Sequence, residues 1–149
     1  MAAKFDIEKE IRFILQGGRF QQFIIKANQS QLADHGQDVR GQKIKTFNAL
    51  GQDVYAIATM VFKERKGQPT DMVTAFDKGK LYDSMVVKPK KTFVEVEANK
   101  VSLAQFYENV DSDFDILGLN EEDTNKLAEL VQVELQKEID LFVERNLIV

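Results

Sequence analysis

The residues Ser84-Met85-Val86-Val87-Lys88-Pro89-Lys90-Lys91-Thr92-Phe93-Val94-Glu95-Val96-Glu97-Ala98 set the fold class. Valines crowd both arms of this stretch, and Pro89-Lys90-Lys91 separates them as a turn, which predicts a β-hairpin. Side chains alternate sides along a strand, so Phe93, Glu95 and Glu97 share one face while Thr92, Val94, Val96 and Ala98 share the other. A half-buried strand with Val94 and Val96 inward is the expectation. Lys88, Lys90 and Lys91 stand opposite Glu95 and Glu97, where cross-strand charge pairs would form.

Helical patterns lie on both sides of the hairpin. Downstream, Asn120 reads as an N-cap, and Glu121, Glu122 and Asp123 in the first turn oppose the helix dipole favourably. Leu127, Leu130, Val131, Glu134 or Leu135, Glu138 or Ile139, and Phe142 then recur at spacings of three and four, predicting a helix over about 120–145, roughly 35–40 Å long. The apolar tail Leu147-Ile148-Val149 is expected to dock on a core or on a partner. Residues 102–109 suggest a short helix with Ser102 as its N-cap. Upstream, residues 5–16 (FDIEKEIRFILQ) form an amphipathic pattern, interrupted by Gly17-Gly18. Each Gly costs about 1 kcal/mol against Ala inside a helix, so a break or kink is expected there. A second helical stretch carries Phe20, Phe23, Ile24, Ala27 and Leu32 as far as about residue 33. Together these elements make one α+β domain over 1–149: a small, mainly antiparallel sheet packed by N-terminal helices and a long C-terminal helix.

Two intervals are less periodic. Residues 34–53 are rich in Gly, Gln and Asp and read as a long loop, a length usually reserved for function. Its Arg40, Lys43 and Lys45 alternate with apolar Ile44 nearby. That suits either a contact arm that orders on assembly or a short strand within a surface loop. Residues 54–66 fit a helix or a strand, and 67–71 a turn.

Composition narrows the function classes. The 149 residues are 44% hydrophobic and 30% charged, the balance of a soluble globular chain. With no Cys there are no disulfides, thiolate nucleophiles or cysteine-bound metals, and a single His cannot make a two-histidine metal site. No apolar run is long enough for a bilayer. The start of the chain turns acidic too early for a secretory signal, so an intracellular protein is expected. Asp111, Asp113 and Asp115 alternate like calcium ligands, but Phe114 and Ile116 occupy positions where the calcium loop needs Gly and further ligands. An exposed acidic turn is the simpler reading. His35 sits on a Gly-rich loop with no partner in the sequence pattern, and Gly17-Gly18-Arg19 lacks the spaced glycines and Lys-Ser/Thr of a phosphate loop. A lysine strip (Lys78, Lys80, Lys88, Lys90 and Lys91) can touch phosphates non-specifically, yet the acidic balance disfavours specific nucleic-acid binding. A non-enzyme without cofactor or metal is expected.

The net charge of −4 conceals a division: residues 1–50 carry +3, residues 51–100 carry +2 and residues 101–149 carry −9. Opposed patches steer association and fix its register, so contact between copies or with a partner is one reading. An acidic, solvated face on the last helix is the other.

The segment Val73-Thr74-Ala75-Phe76-Asp77-Lys78-Gly79-Lys80-Leu81-Tyr82-Asp83-Ser84-Met85 resembles the tGxLxxS signature of the virion-morphogenesis, or tail-completion, proteins of tailed bacteriophages. Asp77, Gly79, Leu81 and Ser84 match the positions that lead into a strand in that family. Residues 63–71, basic and Gly-Pro-containing, are similar to the stretch that precedes the signature. Residues 114–123 (FDILGLNEED), with Leu117, Gly118 and Leu119, are similar to the approach to the family's C-terminal helix. The order and spacing agree over about 54–145. Lys78 replaces the usual Thr, and the family's Y-A-x-x-H-x-x-G segment is absent, with Phe106-Tyr107-Glu108-Asn109 its nearest counterpart.

The resemblance implies a non-enzymatic structural protein of the head–tail connector, neck or tail terminator, located in the virion and assembled in the host cytoplasm. Its partners would be copies of itself in a ring, together with portal or adaptor and tail proteins, and no membrane. The basic surface with Arg40, Lys43 and Lys45 would then meet the acidic Glu121, Glu122 and Asp123 of a neighbour. A reading from a different class is a small intracellular adaptor that binds a protein through its sheet edge or C-terminal helix.

Overall fold

Asp6 begins the first helix, its carboxylate accepting the Lys9 N–H at 3.1 Å, with Glu8 and Glu10 in the first turn. In the computed structural model, which describes residues 4–44, 79–90, 93–108 and 114–147, this helix is α1, Ile7–Leu15. Gly17 is extended (φ −65°, ψ 139°) and separates α1 from α2, Gly18–Ala33. The break falls where the paired glycines predict it. A Cβ on Gly17 would lie 3.1 Å from the Ile14 carbonyl oxygen, so the bend depends on the missing side chain.

After the intervening segment come a one-turn helix α3 (Lys80–Asp83), strands β1 (Val86–Pro89) and β2 (Val94–Glu97), helix α4 (Lys100–Glu108) and helix α5 (Glu121–Leu147). The two strands pair antiparallel, Val87 opposite Val96 and Pro89 opposite Val94. Val87 and Val96 are buried, while Lys88 and Glu95 face out. The α+β class and the inward valines therefore stand as expected. The turn does not, because Pro89 belongs to β1 and the Lys90 N–H still donates to the Phe93 carbonyl at 2.8 Å. Hydrogen-bonded and non-hydrogen-bonded pairs alternate along the ladder, so Lys90–Phe93 bonding puts Pro89–Val94 at a non-bonded position. The N–H that proline lacks would point away from β2 there, and the strand loses nothing.

Two other boundaries move. The cap of α4 is Asn99, whose Oδ1 accepts the Ser102 N–H at 3.0 Å, so Ser102 is the third helical residue and not the cap. Asn120 does cap α5, accepting the Asp123 N–H at 2.8 Å, and α5 runs on to Leu147. The described half of the long loop, 34–44, is already folded within the single chain. Ile44 N–H reaches the Gly36 carbonyl at 2.9 Å, and Gln37 and Lys43 form an antiparallel bridge. That is one isolated bridge and no full strand, and residues 45–53 lie outside the described residues. The helix-or-strand reading of 54–66, the turn at 67–71, Lys45, Asp77, Lys91, Thr92, Asp111 and Asp113 lie outside the described residues.

The core joins α2, the inner hairpin face and the 114–116 segment through Leu15, Ile24, Leu32, Ile44, Leu81, Tyr82, Met85, Val87, Val96, Phe114 and Ile116. Ile24, Leu32, Ile44 and Ile116 are essentially fully buried, each worth about 1.5–3 kcal/mol of burial. Helix α5 lies on α1 and α2. Among the described residues it reaches the core through the partly buried Leu127 and Val131.

Candidate assembly surface

The motif residues are fastened into the fold. Gly79 has φ 77°, a left-handed backbone that suits glycine, and it starts α3. Leu81 and Tyr82 then point into the core. Ser84 Oγ donates to the Leu81 carbonyl at 2.8 Å and accepts the Asn99 N–H at 2.8 Å, tying α3 to the start of α4 across the root of the hairpin. Gln29 Nε2 adds a bond from α2 to the Tyr82 carbonyl at 3.0 Å.

The Leu117-Gly118-Leu119 stretch is held by two residues that the sequence pattern did not single out. Asn28, fully buried on α2, donates from Nδ2 to the Ile116 carbonyl and accepts the Gly118 N–H on Oδ1, both at 2.7 Å. Asp38, also fully buried, accepts the N–H groups of Arg40 at 3.0 Å, Gln42 at 2.9 Å and Asp115 at 3.3 Å. The Arg40 guanidinium closes on the same carboxylate with Nε and a terminal nitrogen, each at 3.1 Å. Val39 N–H completes the join, donating to the Asp115 carbonyl at 2.8 Å. Position 28 lies four residues after Ile24 and four before Leu32, on the buried stripe of α2, and an amide there was the available signal. Asp38-Val39-Arg40-Gly41 carries the signature of a side-chain-capped turn.

The interface candidates are not equivalent. Arg40 is turned onto Asp38 of its own loop, which gives it an internal structural role besides any external one. Lys43, Glu121 and Glu122 are exposed, and Asp123 is half-buried. Helix α5 carries eight carboxylates against three cations, and none of its described side chains is buried. On its outward side Val133 is 56% exposed, one turn from the exposed Glu129 and Lys137.

Ion pairs run over this exterior. Glu134 meets Lys137 at 3.1 Å and Arg19 of α2 at 3.4 Å, and Lys137, then Arg19, hold its carboxyl below the ordinary value. Lys126 is held above its ordinary value by its bond to Glu122 at 3.1 Å. On the outer hairpin face Lys88 bonds Glu97 at 2.8 Å and Lys90 meets Glu95 at 3.7 Å, the cross-strand pairs expected of those charges. The bond to Lys88 lowers the Glu97 pKa and raises that of Lys88.

A shallow groove of about 220 Å³ runs between the start of α1 and the end of α5, with Lys4, Lys9 and Arg145 interleaved among Asp6, Glu10 and Glu138. Among the described residues no three His, Asp or Glu side chains converge as a metal site, and no helix is long and apolar enough to cross a membrane. Compared with known proteins, the chain matches no family model, no curated protein and no solved structure.

Proposed function

We propose that the chain is a non-enzymatic structural protein of a tailed-bacteriophage particle, at the head–tail connector, neck or tail terminator, where copies form a ring joining portal and tail. One observation supports this above the others. A 27-residue helix, about 40 Å long, lies along the exterior with no described side chain buried and with strong negative charge. Such a helix is extensive surface without matching burial, as a contact element requires. Among the described motif residues, Gly79, Leu81, Ser84 and Gly118 act in turns and packing, which supports a structural role.

Charge reversal of Glu121, Glu122 and Asp123 to Lys tests the reading. Assembly measured by mass photometry, alone and with a portal-side partner, is expected to weaken while circular dichroism shows the monomer folded. Unchanged assembly would sink the electrostatic contact. A wild-type chain that stays monomeric at high concentration and ignores portal and tail proteins would overturn the ring. That result would favour an adaptor instead, with Phe93, 60% exposed on the outer hairpin face, as its first contact.

A further inference from the structure

The side of the hairpin turned away from the core is an open face. Three residue pairs make it: Val86 beside Glu97, Lys88 beside Glu95, and Lys90 beside Phe93. Val86 is 46% and Phe93 60% exposed, and the four charged side chains keep 39–53% of their surface open.

The charges on this face are sorted by strand. The β1 side contributes the cations Lys88 and Lys90, and the β2 side the carboxylates Glu95 and Glu97. The ion pairs Lys88–Glu97 at 2.8 Å and Lys90–Glu95 at 3.7 Å run diagonally between the two rows. They do not exhaust the groups, because an ammonium has three donors and a carboxylate about four acceptor sites. An exposed pair of this kind also contributes little by itself.

A face sorted in this way is complementary to its own copy in one orientation. Stacked sheets lie about 10 Å apart with their strands within about 30° of each other. Turned over about an axis along the strands, a second hairpin lays its β2 row on the β1 row of the first. Lys88 then meets Glu95 of the other copy, twice by symmetry. Lys90 lies over the Phe93 ring of the other copy, a cation–π contact. Turned over about an axis across the strands, the second hairpin would set Lys88 on Lys88 and Glu95 on Glu95. Charge therefore selects the first arrangement, and Val86 and Phe93 lose water in it.

We infer that the outer hairpin face docks on the same face of a second copy as a two-fold contact. The surface is separate from α5, and the contact suits a ring protein or an adaptor alike, so it does not rest on the phage reading. Three residue pairs are far less than the about 800 Å² per partner of a stable dimer. The contact is therefore weak and concentration-dependent.

Lys88→Glu turns the face acidic and Glu95→Lys turns it basic. Each variant alone is expected to self-associate about ten-fold more weakly than the wild type in sedimentation equilibrium taken into the millimolar range. An equimolar mixture should recover the wild-type level, because an acidic face then meets a basic one. Both variants keep a net negative charge, so overall charge does not produce that rescue. Phe93→Ser, at an exposed position, should weaken association several-fold with the charge unchanged, and circular dichroism checks that each variant is folded. Repeated with Glu121, Glu122 and Asp123 reversed to Lys, the rescue should persist, which separates this contact from any at α5. A mixture no stronger than its components would overturn the contact, as would a wild type that stays monomeric across the range.

Discussion

The amide of Asn28 pairs two backbone groups that would otherwise be stranded inside, the Ile116 carbonyl and the Gly118 N–H. Removing it leaves both without a partner, at about 1–3 kcal/mol for each buried group. Asn28→Ala should therefore cost about 2–4 kcal/mol in urea unfolding, and Asn28→Asp should not restore the loss at neutral pH, because it sets a buried carboxylate oxygen against the Ile116 carbonyl. Equal stability of Asn28→Ala and wild type would show that water replaces the amide. The importance of this residue was only half visible in the sequence. Its place on the stripe of Ile24 and Leu32 announces burial, but its partners lie 88 and 90 residues away. Asp38 is similar: its turn with Arg40 is local and legible, whereas its bond to Asp115 spans 77 residues. Nothing in either stretch of sequence specifies that meeting.

Among the elements, the hairpin was the most legible because alternation is a local property of the strands. The turn was misplaced because proline usually marks a loop, and only the pairing phase shows that Pro89 sits where no ladder bond is needed. Asn99 and Ser102 are both good caps three residues apart, and the choice between them depends on where β2 stops. The outer face of this hairpin also sets a pH window. Lys88 holds the Glu97 pKa below 4.5, and Glu97 holds the Lys88 pKa above 10.5. The lowered carboxyl contributes stability above its unfolded value, which is lost as pH falls through the folded value. The raised ammonium contributes below its unfolded value, and this is lost as pH rises through the folded one. Carboxyl NMR titration should place Glu97 below its ordinary midpoint in the wild type and return it upward in Lys88→Met. An unmoved midpoint would mean that the pair does not persist in solution.

At the scale of the whole molecule, charge is divided between a basic first two-thirds and an acidic α5 on the exterior. If that division drives assembly, association should weaken steeply with salt, because screening shortens from about 10 Å at 0.1 M to about 3 Å at 1 M. Sedimentation across that range is the measurement, and a flat response would assign assembly to apolar contact alone. The fold class was readable because helix and hairpin periods are written locally. The seat of α5 was legible only in part, since its charges foretold a solvated face while its apolar repeat promised a deeper seat than the structure gives it. The clamp made by Asn28 and Asp38 has one more consequence, for the order in which the chain comes together. Both residues leave the ribosome long before residues 115–118 that satisfy them. The N-terminal helices must therefore wait, the Asn28 amide unmet and Asp38 held only by its own turn, while a loop of some ninety residues is made and closed, a non-local step that slows folding. Helix α5 follows directly after that closure, so the surface proposed for assembly is presented only once the interior beneath it has been locked.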